Sequence, residues 1–108
     1  MVFRVRNKGP TEYYSGTLIT KDKKIINLKN GEIIITPLTF NIRKKKPTVV
    51  SSETPMKWRI EIKNQDIKII TSPINNKAYN DTLIPYWEGP ISFNGSHKGF
   101  GYLEMTGY

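Results

Sequence analysis

The chain closes on Tyr86-Trp87-Glu88-Gly89-Pro90-Ile91-Ser92-Phe93, then Asn94-Gly95-Ser96-His97-Lys98, then Gly99-Phe100-Gly101-Tyr102-Leu103-Glu104-Met105-Thr106-Gly107-Tyr108, and this stretch decides its fold class. Successive side chains point to opposite faces of a pleated strand. Read that way, Trp87, Gly89, Ile91 and Phe93 share one face, and Tyr86, Glu88 and Pro90 share the other. In the last segment Leu103 and Met105 share a face with Gly99, Gly101 and Gly107, opposite Phe100, Tyr102, Glu104, Thr106 and Tyr108. Asn94-Gly95-Ser96 between them offers residues that tolerate a reversal, so the two segments, 82–93 and 99–108, read as an antiparallel pair.

The same period of two recurs toward the N-terminus. Residues 2–6, 13–20, 24–28, 32–36, 56–63 and 66–71 are rich in β-branched and aromatic residues, and no window of helical length carries a clean i, i+3, i+4, i+7 stripe. Turn chemistry separates them at Asn7-Lys8-Gly9-Pro10, Lys29-Asn30-Gly31, Asn64-Gln65 and Pro73–Asn76. The stretch Ile42–Pro55 holds a basic run, two prolines and little alternation, and reads as a mobile loop. Short strands at regular spacing with turns between them predict an all-β, antiparallel β-barrel of about eight strands, closed or incomplete.

With 108 residues the chain has the size of one domain, and 37% hydrophobic residues suffice for a packed core. It has no cysteine, which excludes disulfides, thiolate metal sites and thiol nucleophiles. Its single histidine, His97, stands in a hairpin loop without a second histidine nearby, so no metal site and no cofactor are expected. The net charge of +8 raises nucleic acid as a partner. The positive residues gather instead in Lys21-Asp22-Lys23-Lys24 and Arg43-Lys44-Lys45-Lys46 beside turn residues, which suits solvated loops better than one recognition face. No apolar stretch is long enough for a membrane span or a signal peptide, so the chain as written reads as cytoplasmic.

Trp58-Arg59-Ile60-Glu61-Ile62, Ile69-Ile70-Thr71-Ser72-Pro73, Pro85-Tyr86-Trp87-Glu88-Gly89 and the terminal Gly99–Tyr108 segment resemble, in order and spacing, the closing part of the AttH and carotenoid 1,2-hydratase (CrtC) family of predicted secreted hydrolases. Residues 1–6, Ser15-Gly16-Thr17-Leu18-Ile19 and Thr36-Pro37-Leu38 extend the resemblance over most of the chain. It implies a lipocalin-like domain over residues 1–108, equivalent to the second barrel of a two-barrel family whose members are often exported to the periplasm. The expected partners follow: a hydrophobic small molecule, and either a missing N-terminal barrel or a second copy of the chain covering an open edge.

Two carboxylates and several phenols meet on one face of the closing pair. If that face lined a cavity, Glu88 and Glu104 would be the catalytic candidates for a hydratase, lyase or hydrolase acting on a terpenoid or lipid-like substrate, since neighbouring carboxylates split into one acid and one base. Otherwise they are solvated strand glutamates. Tyr86, Trp87, Tyr102, Tyr108 and Trp58 are the candidate ligand-binding residues, the tryptophans also being natural core plugs. Binding of an apolar ligand without catalysis is the leading expectation, ahead of the enzyme and of a basic nucleic-acid-binding barrel.

Overall fold

The computed structural model describes residues 1–7, 9, 11–43 and 52–108. Strands β1 (Val2–Val5), β2 (Tyr13–Ile19) and β3 (Ile25–Leu28) form a three-stranded antiparallel sheet in that order. The second sheet is built from β4 (Ile33–Arg43), β5 (Ser52–Ile62), β6 (Ile67–Pro73), β7 (Tyr79–Asn80), β8 (Tyr86–Gly95) and β9 (Gly99–Thr106). Its order is β4-β5-β6-β8-β7, with β9 on the free side of β8, and every pairing is antiparallel. The fold is therefore all-β, and its two sheets do not close into a barrel among the described residues. No ladder joins β1 to β9. The Arg6 side chain spans that gap, its Nη2 donating to the carbonyl oxygens of Gly107 at 2.5 Å and Thr106 at 3.3 Å.

The closing strands pair as the alternation requires. Trp87 faces Met105, Gly89 faces Leu103 and Ile91 faces Gly101 on the inner side; Glu88 faces Glu104, Pro90 faces Tyr102 and Ser92 faces Phe100 on the outer side. On β5 the inner residues are Met56, Trp58, Ile60 and Ile62, and on β6 they are Ile67, Ile69 and Thr71. Two buried clusters result: Met56, Trp58, Trp87, Ile91 and Met105, and, where the sheets meet, Leu28, Ile33 and Ile62. At roughly 1.5–3 kcal/mol for each fully buried large apolar side chain, these clusters supply the main favourable contribution to folding.

Several boundaries differ from the sequence reading. The expected loop over Ile42–Pro55 is corrected at both ends, because β4 runs to Arg43 and β5 starts at Ser52; residues 44–51, with most of the second basic run, lie outside the described residues. Thr54, Pro55 and Met56 are buried, so this arm has an apolar reason to stay paired. The ladder tolerates Pro37, which lacks an N–H, by register shifts on either side of Thr39. The strand expected from Thr82 begins only at Tyr86, and the two-residue β7 was not expected at all. Pro73 ends β6 instead of opening a turn, and the β8–β9 reversal falls on Ser96–Lys98 rather than on Asn94-Gly95. Between β5 and β6 the chain reverses through a single 3-10 turn over Lys63–Gln65, finished by Asp66 in the left-handed region at φ 52°.

In β1 the two faces alternate, and the register settles which is inside. Val2 lies opposite Gly16, and Arg4 opposite Tyr14. A Cβ on Gly16 would sit 2.6 Å from the Met1 carbonyl oxygen, so only glycine permits this approach. Val2, Arg4, Tyr14 and Leu18 consequently face the second sheet, while Phe3, Val5 and Tyr13 stand on the exposed outer face.

Candidate functional site

Because the sheets diverge without closing, their inner faces enclose a cleft of about 1260 Å³. That exceeds the roughly 300–1,000 Å³ of ordinary small-molecule pockets. Its floor is Ile60, Ile62, Ile67, Ile69, Ile91 and Phe93, and Val2 and Leu18 of the small sheet form the opposite wall. Floor residues that would be fully buried in a closed barrel stay partly exposed here, Ile60, Ile67, Ile69 and Phe93 among them. Gly99 contributes by absence: a Cβ there would lie 2.9 Å from the Phe93 ring, so the glycine lets that ring lie across β9.

One end of the cleft is cationic and aromatic. The Arg4 guanidinium lies 5.8 Å from the centroid of the Trp58 ring and pairs with Glu12. Glu12 also accepts a hydrogen bond from the Tyr14 hydroxyl. These two donors, Arg4 first, hold the Glu12 carboxyl below the ordinary glutamate range. Burial acts to lower the Arg4 value, yet the Glu12 carboxylate outweighs it and the guanidinium is held above its ordinary range. Burial, followed by donation to Glu12, pushes the Tyr14 phenol up. Arg4 Nε is buried and has no hydrogen-bond partner among the described residues. Beside this group, Arg6 stacks 3.7 Å above the Tyr108 ring, which in turn meets Trp58 edge-on at 6.0 Å. At the opposite end stand Thr20, Lys21, Gln65 and His97.

The residues named from sequence separate into two groups. Trp58, Tyr102, Tyr108 and Glu104 border the cleft. Trp58 is buried, and its indole N–H donates to the Met105 sulfur at 3.3 Å. Trp87 is only 1% exposed and lies in the core cluster, with no hydrogen-bond partner for its indole N–H among the described residues. Tyr86 and Glu88 are half-buried on the outer side of β8, and Phe100 and Tyr102 are exposed on the outer side of β9. Glu88 and Glu104 are thus direct cross-strand neighbours, but on the solvated face of the sheet. On β8 and β9 the outer-face aromatics Tyr86, Phe100 and Tyr102 are interleaved with Glu88 and Glu104.

Sequence reading missed Arg4, Arg6, Glu12 and Tyr14. The available signal was an alternation in which Arg4 and Arg6 share a face with Val2, together with a glutamate and a tyrosine two residues apart at the start of the next strand. Among the described residues no three histidines, cysteines or carboxylates gather to hold a metal, and no helix is long and apolar enough to cross a membrane.

The AttH-like family model matches residues 1–108, the whole chain. No match was found among curated proteins or among solved structures.

Proposed function

Because the chain belongs to the AttH-like family and opens a large apolar cleft between its two sheets, we propose that it is a lipocalin-like domain that binds a hydrophobic small molecule in that cleft. The observation that carries this reading is the isoleucine-rich floor left partly uncovered between sheets that do not close. Apolar surface in such a concavity gains free energy when a ligand displaces its water, at about 25 cal/mol per Å² buried. Trp58 and Tyr108 are the ligand-contacting residues in this reading, Tyr102 stands at the border on the outer side of β9, and Trp87 supports the floor from the core. In the two-barrel family the chain corresponds to the second barrel.

Native mass spectrometry of the purified chain, before and after organic extraction, tests the proposal. A co-purifying apolar molecule, or uptake of added dodecanol by the extracted protein, is the expected result. A ligand-free spectrum together with no uptake of dodecanol refutes it.

The direct opposition of Glu88 and Glu104, the latter bordering the cleft, favours one further reading, a hydratase, lyase or hydrolase that uses this carboxylate pair. Turnover of the co-purified ligand that is lost in both Glu88→Gln and Glu104→Gln would support it, and turnover retained in both would remove it.

A further inference from the structure

We propose that the cleft selects single-chain amphiphiles with a carboxylate head, holding the head at the Arg4–Arg6 end and the acyl tail along the isoleucine floor. This rests on the cleft being the ligand site.

The charge at that end carries the inference. Arg4 and Arg6 bring two positive charges and Glu12 returns one negative charge. Of these three side chains, one positive charge is therefore in excess. Glu104 also borders the cleft, but its position in the ladder sends it to the outer side of β9 opposite Glu88. Arg6 is the residue free to act. It is exposed, it is fixed by stacking on Tyr108, and the hydrogen bonds it makes among the described residues use only Nη2. A guanidinium carries five N–H donors in a rigid fork that matches a carboxylate. Stacking and the bonds to Thr106 and Gly107 fix the side chain before any ligand arrives, so little rotamer entropy remains to be lost.

The rest of the cleft fits a tail. From Trp58 to Ile62 the inner face of β5 runs about 13 Å at about 3.3 Å per residue, with Ile69 and Ile67 paired beside Ile60 and Ile62. No acidic side chain projects from these inner positions. A monoanionic head balances the single excess charge, and a linear chain follows the floor toward Gln65 and Lys21.

Laurate and dodecanol, which share a chain and differ in the head, are the probes, titrated into the extracted protein near neutral pH and read by calorimetry. Laurate is ionised there, its carboxyl titrating near the ordinary carboxylic range. Laurate is expected to bind at least about tenfold more tightly than dodecanol, the size of one hydrogen bond to a charged group. In Arg6→Gln the ratio of the two affinities is expected to fall toward about one, and in Arg6→Lys, which keeps the charge, it should remain partly above one. Equal binding of the two probes by the parent chain overturns head-group selection and leaves the apolar cleft standing. Binding of neither probe overturns the cleft itself as a ligand site. Should Arg6→Gln fail to fold, the parent chain still decides: the laurate preference must shrink between about 0.02 and about 0.5 M salt, and a preference indifferent to salt overturns the proposal.

Discussion

Replacing Gly101 by valine separates folding from ligand binding in a single position. Gly101 belongs to the inner face of β9 opposite Ile91, yet it is exposed because the cleft lies open above it. It is not among the glycines with positive φ, so its backbone is open to any L-residue. A Cβ built there meets only the Ile91 side chain, at 3.6 and 3.7 Å, which is ordinary van der Waals contact. Glycine inside a strand costs roughly 0.5–1 kcal/mol relative to alanine, and a β-branched residue adds a comparable gain on a half-buried pleated surface. Gly101→Val is therefore expected to raise stability by about 1 kcal/mol, or about 5 °C in Tm for a domain of this size. Urea unfolding followed by tryptophan fluorescence measures this as a rise in the midpoint without a change in slope. The larger Gly101→Phe fills the cleft above Ile91 and should weaken dodecanol binding several-fold while the protein stays folded. A less stable Gly101→Val would show that the position is not open, and undiminished dodecanol binding by Gly101→Phe would place the ligand elsewhere.

Three other outcomes follow from the geometry. Gly95 has φ 141°, and a Cβ there would overlap the Lys68 carbonyl oxygen, so Gly95→Ala should lose roughly 1–3 kcal/mol or more in urea unfolding; a neutral result would mean that the β6–β8 edge relaxes freely. Glu104→Lys turns a like-charge cross-strand pair with Glu88 into an opposite pair and should stabilise by roughly 0.2–1 kcal/mol, read from the urea midpoint; an unchanged or lower midpoint would deny the pair that cost. The Glu12 carboxyl is held below its ordinary value of 4.5 in the folded chain, so the stability it contributes is fully present above that pH and is lost as pH falls through the lower folded value. Glu12→Gln should flatten the acid limb of a stability–pH curve measured between about pH 5 and pH 2, and an unchanged limb would deny the Arg4–Glu12–Tyr14 group its role.

What was legible in the sequence was whatever depends on the period of two. That Trp87, Ile91 and Met105 share one face and Glu88, Tyr102 and Glu104 the other follows from counting along strands that are well bounded by turn residues. The β4–β5 arm was not legible, because Pro37 and the run of prolines, serines and lysines after Ile42 break local alternation, while long-range burial of Thr54, Pro55 and Met56 restores pairing. Strand β7 is only two residues long, too short for any periodic signal, and is defined wholly by its partners Tyr86 and Trp87. The carboxylate pair was legible as a neighbourhood, but its side of the sheet depends on where the other sheet lies.

Strand β1 shows why the cationic end of the cleft had to wait for tertiary structure. By hydropathy alone, Phe3 and Val5 belong inside and Arg4 outside. The opposite orientation prevails because Gly16 admits β1 close enough for Val2 to pack inward and because Glu12 and Tyr14 receive the Arg4 guanidinium over Trp58. An inward arginine is costly unless it is paired, and here the Glu12 carboxylate pairs it. Arg6, two residues on, feels Glu12 only through its field and turns to the Tyr108 ring and the last carbonyls of β9. That arrangement links the two open edges by a side chain where a closed barrel would use a backbone ladder. The open edge and the unbalanced charge are therefore consequences of one strand orientation, and they fall at the same end of an apolar floor.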